Sequence, residues 1–414
     1  MKRVPGFILS MAALLAPTLI NPAFGQSQPP SEPQTREEAL REEREEKAEV
    51  LTPPQTGALE KGLFWLEDGR AFERLLNPAE GFYPKLGSVT AGSGLGFGAG
   101  YRHLFSEQVA WNTFGSGTFR RYWALETRFL ANNIANTPLF VDLHARKSDY
   151  PDEDYFGQGS TSLRVDHVSY GLAQTTGGAT TGLNVTKWLS SGLRADYFSP
   201  SVHEGPDSRV PTIDRIFPPG TIPGLIEQPD YFNTEVFVEA NTREPRGNPR
   251  AGGRYRASYQ RFADLDLNRY SFNRFELDGQ QYISLFKNRR LIALRGLFSS
   301  SQPDSGNDVP FYLERTLGGP DDLRGFHQFR FRDRHLLLLQ AEYRFEIFTA
   351  VDGALFYDTG KVAHELEDLD VTHFESDWGV GVRFGTINGV FLRVEGAFGS
   401  SGGKHLVLRW GNVF

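Results

Sequence analysis

The chain has 414 residues, a net charge of −7 and no cysteine. The missing thiols exclude a disulfide framework, a lipidated cysteine anchor and thiolate chemistry, and the mildly acidic balance offers no basic patch for nucleic acid. The 44 Gly and 33 Phe against only 2 Met lean toward a strand-rich chain.

Residues 1–25 have the layout of a cleaved secretory signal. Lys2 and Arg3 are the positive start, Phe7 to Ile20 is apolar, and "PAFGQ" places Ala23 and Gly25 at small-residue positions. Residues 26–57 read as a polar, charged tether, with "SQPPSEPQ" before the glutamate-rich "TREEALREEREEKAEV" and "LTPPQTG" after it. Residues 58–84 are expected to be a short helical segment, because Leu63, Leu66, Phe72 and Leu75 make an apolar stripe at helical spacing.

From residue 85 to 414 the pattern has period two. Leu339, Ala341, Tyr343 and Phe345 alternate with Gln340, Glu342, Arg344 and Glu346, and Val390, Leu392 and Val394 alternate with Arg393 and Glu395. No run after Gln26 is long and apolar enough for a membrane helix. Sustained alternation with charge on one face and aliphatic or aromatic residues on the other is what a polar lumen inside lipid requires. The expected fold is all-β, an antiparallel transmembrane β-barrel of about sixteen strands, about eleven between Gly94 and Ser301 and about five after Phe331. The longest connections then fall on one side, taken as external; only Lys147 to Ser160 falls on the wrong side.

The first strand is read as "GLGFGAGYRHL", with Gly94, Gly96, Gly98 and Gly100 on one face. Those glycines either weaken a seam with the last strand or admit another element closely. At the other end of the chain, Leu406, Leu408, Trp410 and Phe414 alternate to an aromatic terminus, read as a barrel-closure signal in the interfacial girdle.

One loop stands out. "LGGPDDLRGFHQFRF" sets Arg324 between Leu323 and the pair Gly325-Phe326, just before a strand. Asp358 and Gly360 follow in "FYDTG", and Gly379, Gly381 and Arg383 in "WGVGVRFG". By parity Asp358 and Arg383 share the polar, inward face of their strands. Taken in order, these motifs resemble the outer membrane protein 85 superfamily, also called the bacterial surface antigen family. Leu323-Arg324-Gly325-Phe326 is similar to its sixth-loop tetrad, with Leu where Val is commoner. "NTREPRGNPRAGG" is similar to an upstream turn of that family, with Asn241 where Asp is common. The resemblance implies that the external loop folds into the lumen and Arg324 meets Asp358.

The same resemblance implies a bacterial outer-membrane barrel that assists insertion or translocation of polypeptides or lipids. Family members with client-handling roles carry POTRA modules, for which Gln26 to Lys85 leaves no room, so the chain resembles a short branch. The alternative is a passive pore or structural barrel without a client. An enzyme is not expected: His103, His144, His167, His327, His335 and His405 fall in no triad or metal-ligand spacing. The expectation is therefore no cofactor and no metal. Expected partners are outer-membrane lipids and lipopolysaccharide, and a periplasmic or outer-membrane protein bound through the N-terminal extension.

Overall fold

The computed structural model describes residues 80–414 other than 91, 207–208, 219, 287–288, 349, 371, 387–388, 401 and 410–413. The expected signal, the tether and most of the helical segment lie outside the described residues, as does Trp410.

Eleven strands run in succession: β1 (Gly81–Gly87), β2 (Gly96–Ser106), β3 (Val109–Thr118), β4 (Trp123–Ala131), β5 (Leu139–Tyr155), β6 (Val168–Asn184), β7 (Leu189–Glu204), β8 (Tyr231–Asn241), β9 (Gly252–Asp264), β10 (Phe272–Leu285) and β11 (Arg290–Pro303). A small ribbon, β12 (Arg315–Leu317) with β13 (Phe331–Asp333), precedes β14 (His335–Phe348), β15 (Val351–Ala363), β16 (Glu375–Thr386), β17 (Gly389–Gly399) and β18 (Lys404–Arg409). The main sheet has sixteen strands, each antiparallel to the next, and β11 pairs directly with β14. It is the up-and-down sheet of a transmembrane barrel. Among the described residues, β1 and β18 are its two ends, with no ladder between them.

The alternation sorts each strand into two faces. Val236, Tyr259 and Phe275 lie side by side on β8, β9 and β10 and are exposed, as a lipid-facing ladder requires. The opposite face is charged and internally paired. Arg256 reaches Glu235 at 2.7 Å, Arg254 reaches Glu239 at 2.8 Å, and Arg146 reaches Glu126 at 2.7 Å.

Two expectations about the start of the barrel change. The first strand is Gly81–Gly87, which begins in the last four residues of the stretch expected to be helical, and the glycine-rich strand is the second. Between Gly94 and Ser301 the structure therefore begins ten strands. With β1 added, the connection after β5 falls on the same side as the long connections 205–230, 304–334 and 364–374, and Lys147 to Tyr155 belong to β5 itself. The one discordant loop is thereby removed.

At this long-loop end the connections pack on each other. Tyr155, Val168, Tyr170, Ile213, Ile222 and Phe311 form a buried cluster, which includes Ile213 from the short helix α1 (Ile213–Ile216). Arg332 is buried among them, donating to the Phe311 carbonyl at 2.7 Å and to the Tyr170 hydroxyl at 3.1 Å. At the short-turn end, the turn after β8 reaches across to β15, where Arg250 bonds Asp352 at 2.6 Å.

Candidate functional site: an arginine docked in the lumen

The connection 304–334 leaves β11, forms the β12–β13 ribbon and returns to β14. Its apolar residues Leu317, Leu323, Phe326 and Phe331 bury against Leu297, Leu336, Leu338 and Val362 of the wall. Each such side chain contributes roughly 1.5–3 kcal/mol when fully buried, which is enough to hold the loop inward.

Two neighbouring rungs of the wall receive it. Gln340, Asp358, Asp377 and Gly399 lie in register across β14 to β17, and Glu342, Phe356, Gly379 and Ala397 form the next inward rung. A β-carbon at Gly379 would stand 2.2 Å from the Phe356 ring, so glycine there is what lets the ring lie flat across β16.

Arg324 sits on these rungs with no exposure. Its Nε donates to Asp358 Oδ2 at 2.7 Å and its Nη2 to Oδ1 at 2.9 Å, a bidentate pair. Its Nη1 is 3.3 Å from Glu395 Oε1 and 3.5 Å from Glu342 Oε2. The guanidinium carbon lies 3.4 Å over the Phe356 ring centre, a cation–π contact. Burial opposes the charge, yet Asp358, Glu342 and Glu395 together raise the Arg324 pKa above the ordinary guanidinium value.

The surrounding groups orient these acceptors. Arg383 Nη2 lies 2.7 Å from Glu342 Oε1 and donates to Oε2 at 2.9 Å, and Arg393 Nη1 donates to Glu395 Oε2 at 3.0 Å. Gln340 Nε2 bridges Asp358 Oδ1 at 3.2 Å and the Asp322 carbonyl at 2.9 Å. The Gly325 N–H donates to Asp377 Oδ2 at 2.9 Å.

The sequence-expected residues divide in three. Arg324 and Asp358 meet directly, Gly325 bonds Asp377 on the same rung, and Arg383 acts one step away, through Glu342. Leu323 and Phe326 belong to the apolar seat, and Gly360 provides clearance, since a β-carbon there would stand 2.9 Å from Leu317. The others lie elsewhere. Leu406 and Leu408 face outward at 79% and 66% exposed. Phe414 does not join them: it is buried against Tyr282, Leu291 and Ala293 on the inner face of β10 and β11.

The glycines assigned to the seam also change place. Gly94 precedes β2, while Gly96, Gly98 and Gly100 lie within it, one strand inside the sheet edge. Gly100 admits the Tyr83 ring, whose hydroxyl donates to Asn112 at 2.6 Å.

Glu342, Glu395, Asp377 and Phe356 were not singled out from the sequence. All sit at inward positions of alternating strands, so their facing was readable. Among the described residues, no group of three His, Cys, Asp or Glu side chains is placed to hold a metal ion. A cavity of about 500 Å³ lies between the docked loop and β18, lined by Arg324, Phe326, His327, His405, Leu408 and Arg409 among others.

Known proteins agree with this architecture. The Omp85 superfamily domain matches residues 123–399. The structure is similar to the crystal structure of BamA from Haemophilus ducreyi lacking POTRA domains 1–3, with TM-score 0.59, 14% identity, and coverage of 80% of this chain and 69% of that one. It is also similar to CdiB from Escherichia coli, with TM-score 0.52, 10% identity, and coverage of 80% and 61%. No curated protein sequence matches the chain. The family match spans the barrel from β4 to β17, including the docked arginine and every acid that holds it: the chain is a member of the Omp85 superfamily.

Proposed function

We propose that this barrel assists the insertion or translocation of polypeptides or lipids at the bacterial outer membrane, reached through the cleaved N-terminal signal. Loop 304–334 is its moving part, and outer-membrane lipids and lipopolysaccharide surround it. A periplasmic or outer-membrane partner engages through the N-terminal extension.

The observation that carries the reading is the buried Arg324–Asp358 pair. A loop of a passive channel needs no bidentate ion pair at zero exposure, because a surface salt bridge contributes only about 0–1 kcal/mol while breaking a buried one costs about 3–5 kcal/mol. Such a contact makes the loop a two-position element, in or out, rather than a gradually mobile one. The packed long-loop end and the Arg250–Asp352 bridge at the other also narrow the route a freely diffusing solute would need.

The test compares a deletion strain complemented with wild type, with Arg324→Ala, or with nothing, and reads the outer-membrane protein and lipid composition. Loss of particular barrels or of lipid asymmetry, unrestored by Arg324→Ala, is the expected outcome. A change in permeability alone, with composition intact, would leave the passive-pore reading.

A further inference from the structure

Below the docked arginine, toward the short-turn end, the charge balance fails. Glu342 serves three guanidinium groups: Arg324, Arg383 and Arg344, whose Nε donates to it at 3.1 Å. Arg344 has no partner for Nη1 or Nη2, and Arg383 has none for Nε or Nη1. The Tyr282 hydroxyl, on the neighbouring wall, has the Arg243 guanidinium beside it, a donor, and no acceptor for its own proton. All three side chains are buried.

These donors share one neighbourhood. Tyr282, Ala293 and Glu342 lie in register across β10, β11 and β14, and Arg344 faces Ala354, whose partner on β16 is Gly381, two residues from Arg383. Arg243, from the turn after β8, spends its Nε on Asn241 and its Nη1 on Gln280, so it brings further positive charge and no carboxylate. Asp352, the nearest further acid in register with Arg383, is already bonded to Arg250 at 2.6 Å. The ring of Phe414 lies over the group, 5.8 Å from the Arg344 guanidinium carbon and 6.2 Å from the Tyr282 ring centre.

A buried donor left without an acceptor costs about 1–3 kcal/mol, and more when it carries charge. Four guanidinium nitrogens and a phenol therefore call for an acceptor with several oxygens. The planar fork of arginine matches carboxylate and phosphate. We propose that Arg344, Arg383 and Tyr282 form a lumenal oxyanion site for a carboxylate or phosphate group, covered by Phe414. The occupant is a free oxyanion entering from the short-turn end. The site is independent of any transport role.

The test uses the full-length barrel purified in detergent, with inorganic phosphate as probe and chloride as the ionic-strength control. Phosphorus NMR line broadening and thermal unfolding read binding for wild type, Phe414→Ala, Arg344→Gln and Tyr282→Phe. Saturable binding by wild type, or by Phe414→Ala once the covering ring is removed, supports the site. Arg344→Gln, made in the form that binds, should weaken phosphate by about tenfold or more, the loss expected for one charged hydrogen bond. Tyr282→Phe, which keeps the packing, gives a smaller loss if Arg344→Gln does not fold. No saturable binding in wild type or Phe414→Ala overturns the proposal, and so does binding that both substitutions leave unchanged.

Discussion

The backbone of Gly325 rests on the backbone of Gly399: a β-carbon built on Gly325 would stand 2.6 Å from the Gly399 nitrogen and 2.6 Å from the Asp377 β-carbon. That approach places the Gly325 N–H on Asp377 and brings Arg324 to the depth of Asp358. Gly325→Ala should therefore push the loop away from the wall, costing about 1–3 kcal/mol as overpacking does. Limited proteolysis within 304–334 should speed up while the sixteen-strand sheet stays folded. Wild-type cleavage would mean that the close approach is slack.

Removing the cation should cost more than crowding its neighbour. Arg324→Ala strands Asp358, Glu342 and Glu395 without their shared partner, a loss of about 3–5 kcal/mol for a buried pair. Arg324→Lys keeps the charge but loses the fork and the stacking on Phe356, so it should fall between alanine and wild type. Denaturant unfolding in detergent would rank the three, and equal stability of alanine and lysine would show that charge contributes nothing at this site.

Much of this was legible because a barrel wall has only two faces. Alternation placed Asp358 and Arg383 on the lumenal face, and the structure buries both. It could not say how far around the wall an acceptor lies, so Glu395, three strands from Glu342, and Asp377, one strand from Asp358, were invisible as partners. The first strand was missed for a different reason. "GFYPKLG" is short and carries Pro84, which normally argues against a strand. At the sheet edge a missing N–H is tolerated, and β1 is that edge. The shift by one strand then misassigned the glycines of β2.

At the edge itself, the Tyr83 ring lies over Gly100, where a β-carbon would stand 2.3 Å from the ring. Gly100→Ala should expel the ring, break its bond to Asn112 and destabilise β1 by about 1–3 kcal/mol. Hydrogen exchange of the β1 amides would report it. Combined with Tyr83→Ala, the two losses should be less than additive, because they remove the same contact. Additive losses would mean that Gly100 serves the backbone alone.

The position of the terminal residue can be read directly with tryptophan. Phe414→Trp should be shielded from quenching by brominated lipid, because Phe414 is only 7% exposed and packs on Tyr282 inside the wall. Leu408→Trp, at an outward position, should be quenched strongly. Equal quenching of the two would return the terminus to the lipid-facing girdle.

Acid should loosen the docked loop through His327. Its Nε2 accepts from Arg164 Nη2 at 2.9 Å, which only the neutral ring can do, and its ring meets His405 edge-on at 4.8 Å. Burial first, then the charges of His405, Arg164 and His167, holds its pKa down to about 4, with Asp154 pulling weakly the other way. The unfolded ring titrates near about 6.5. A base with a depressed folded pKa binds its proton more readily when released, so docking is at full strength above about 6.5 and weakens as pH falls toward 4. Below that value this group contributes no further loss. Proteolysis of 304–334 should therefore accelerate between pH 7 and roughly pH 4, and His327→Gln, which keeps an acceptor for Arg164, should lose most of that slope. An unchanged slope would assign the acid response to another group.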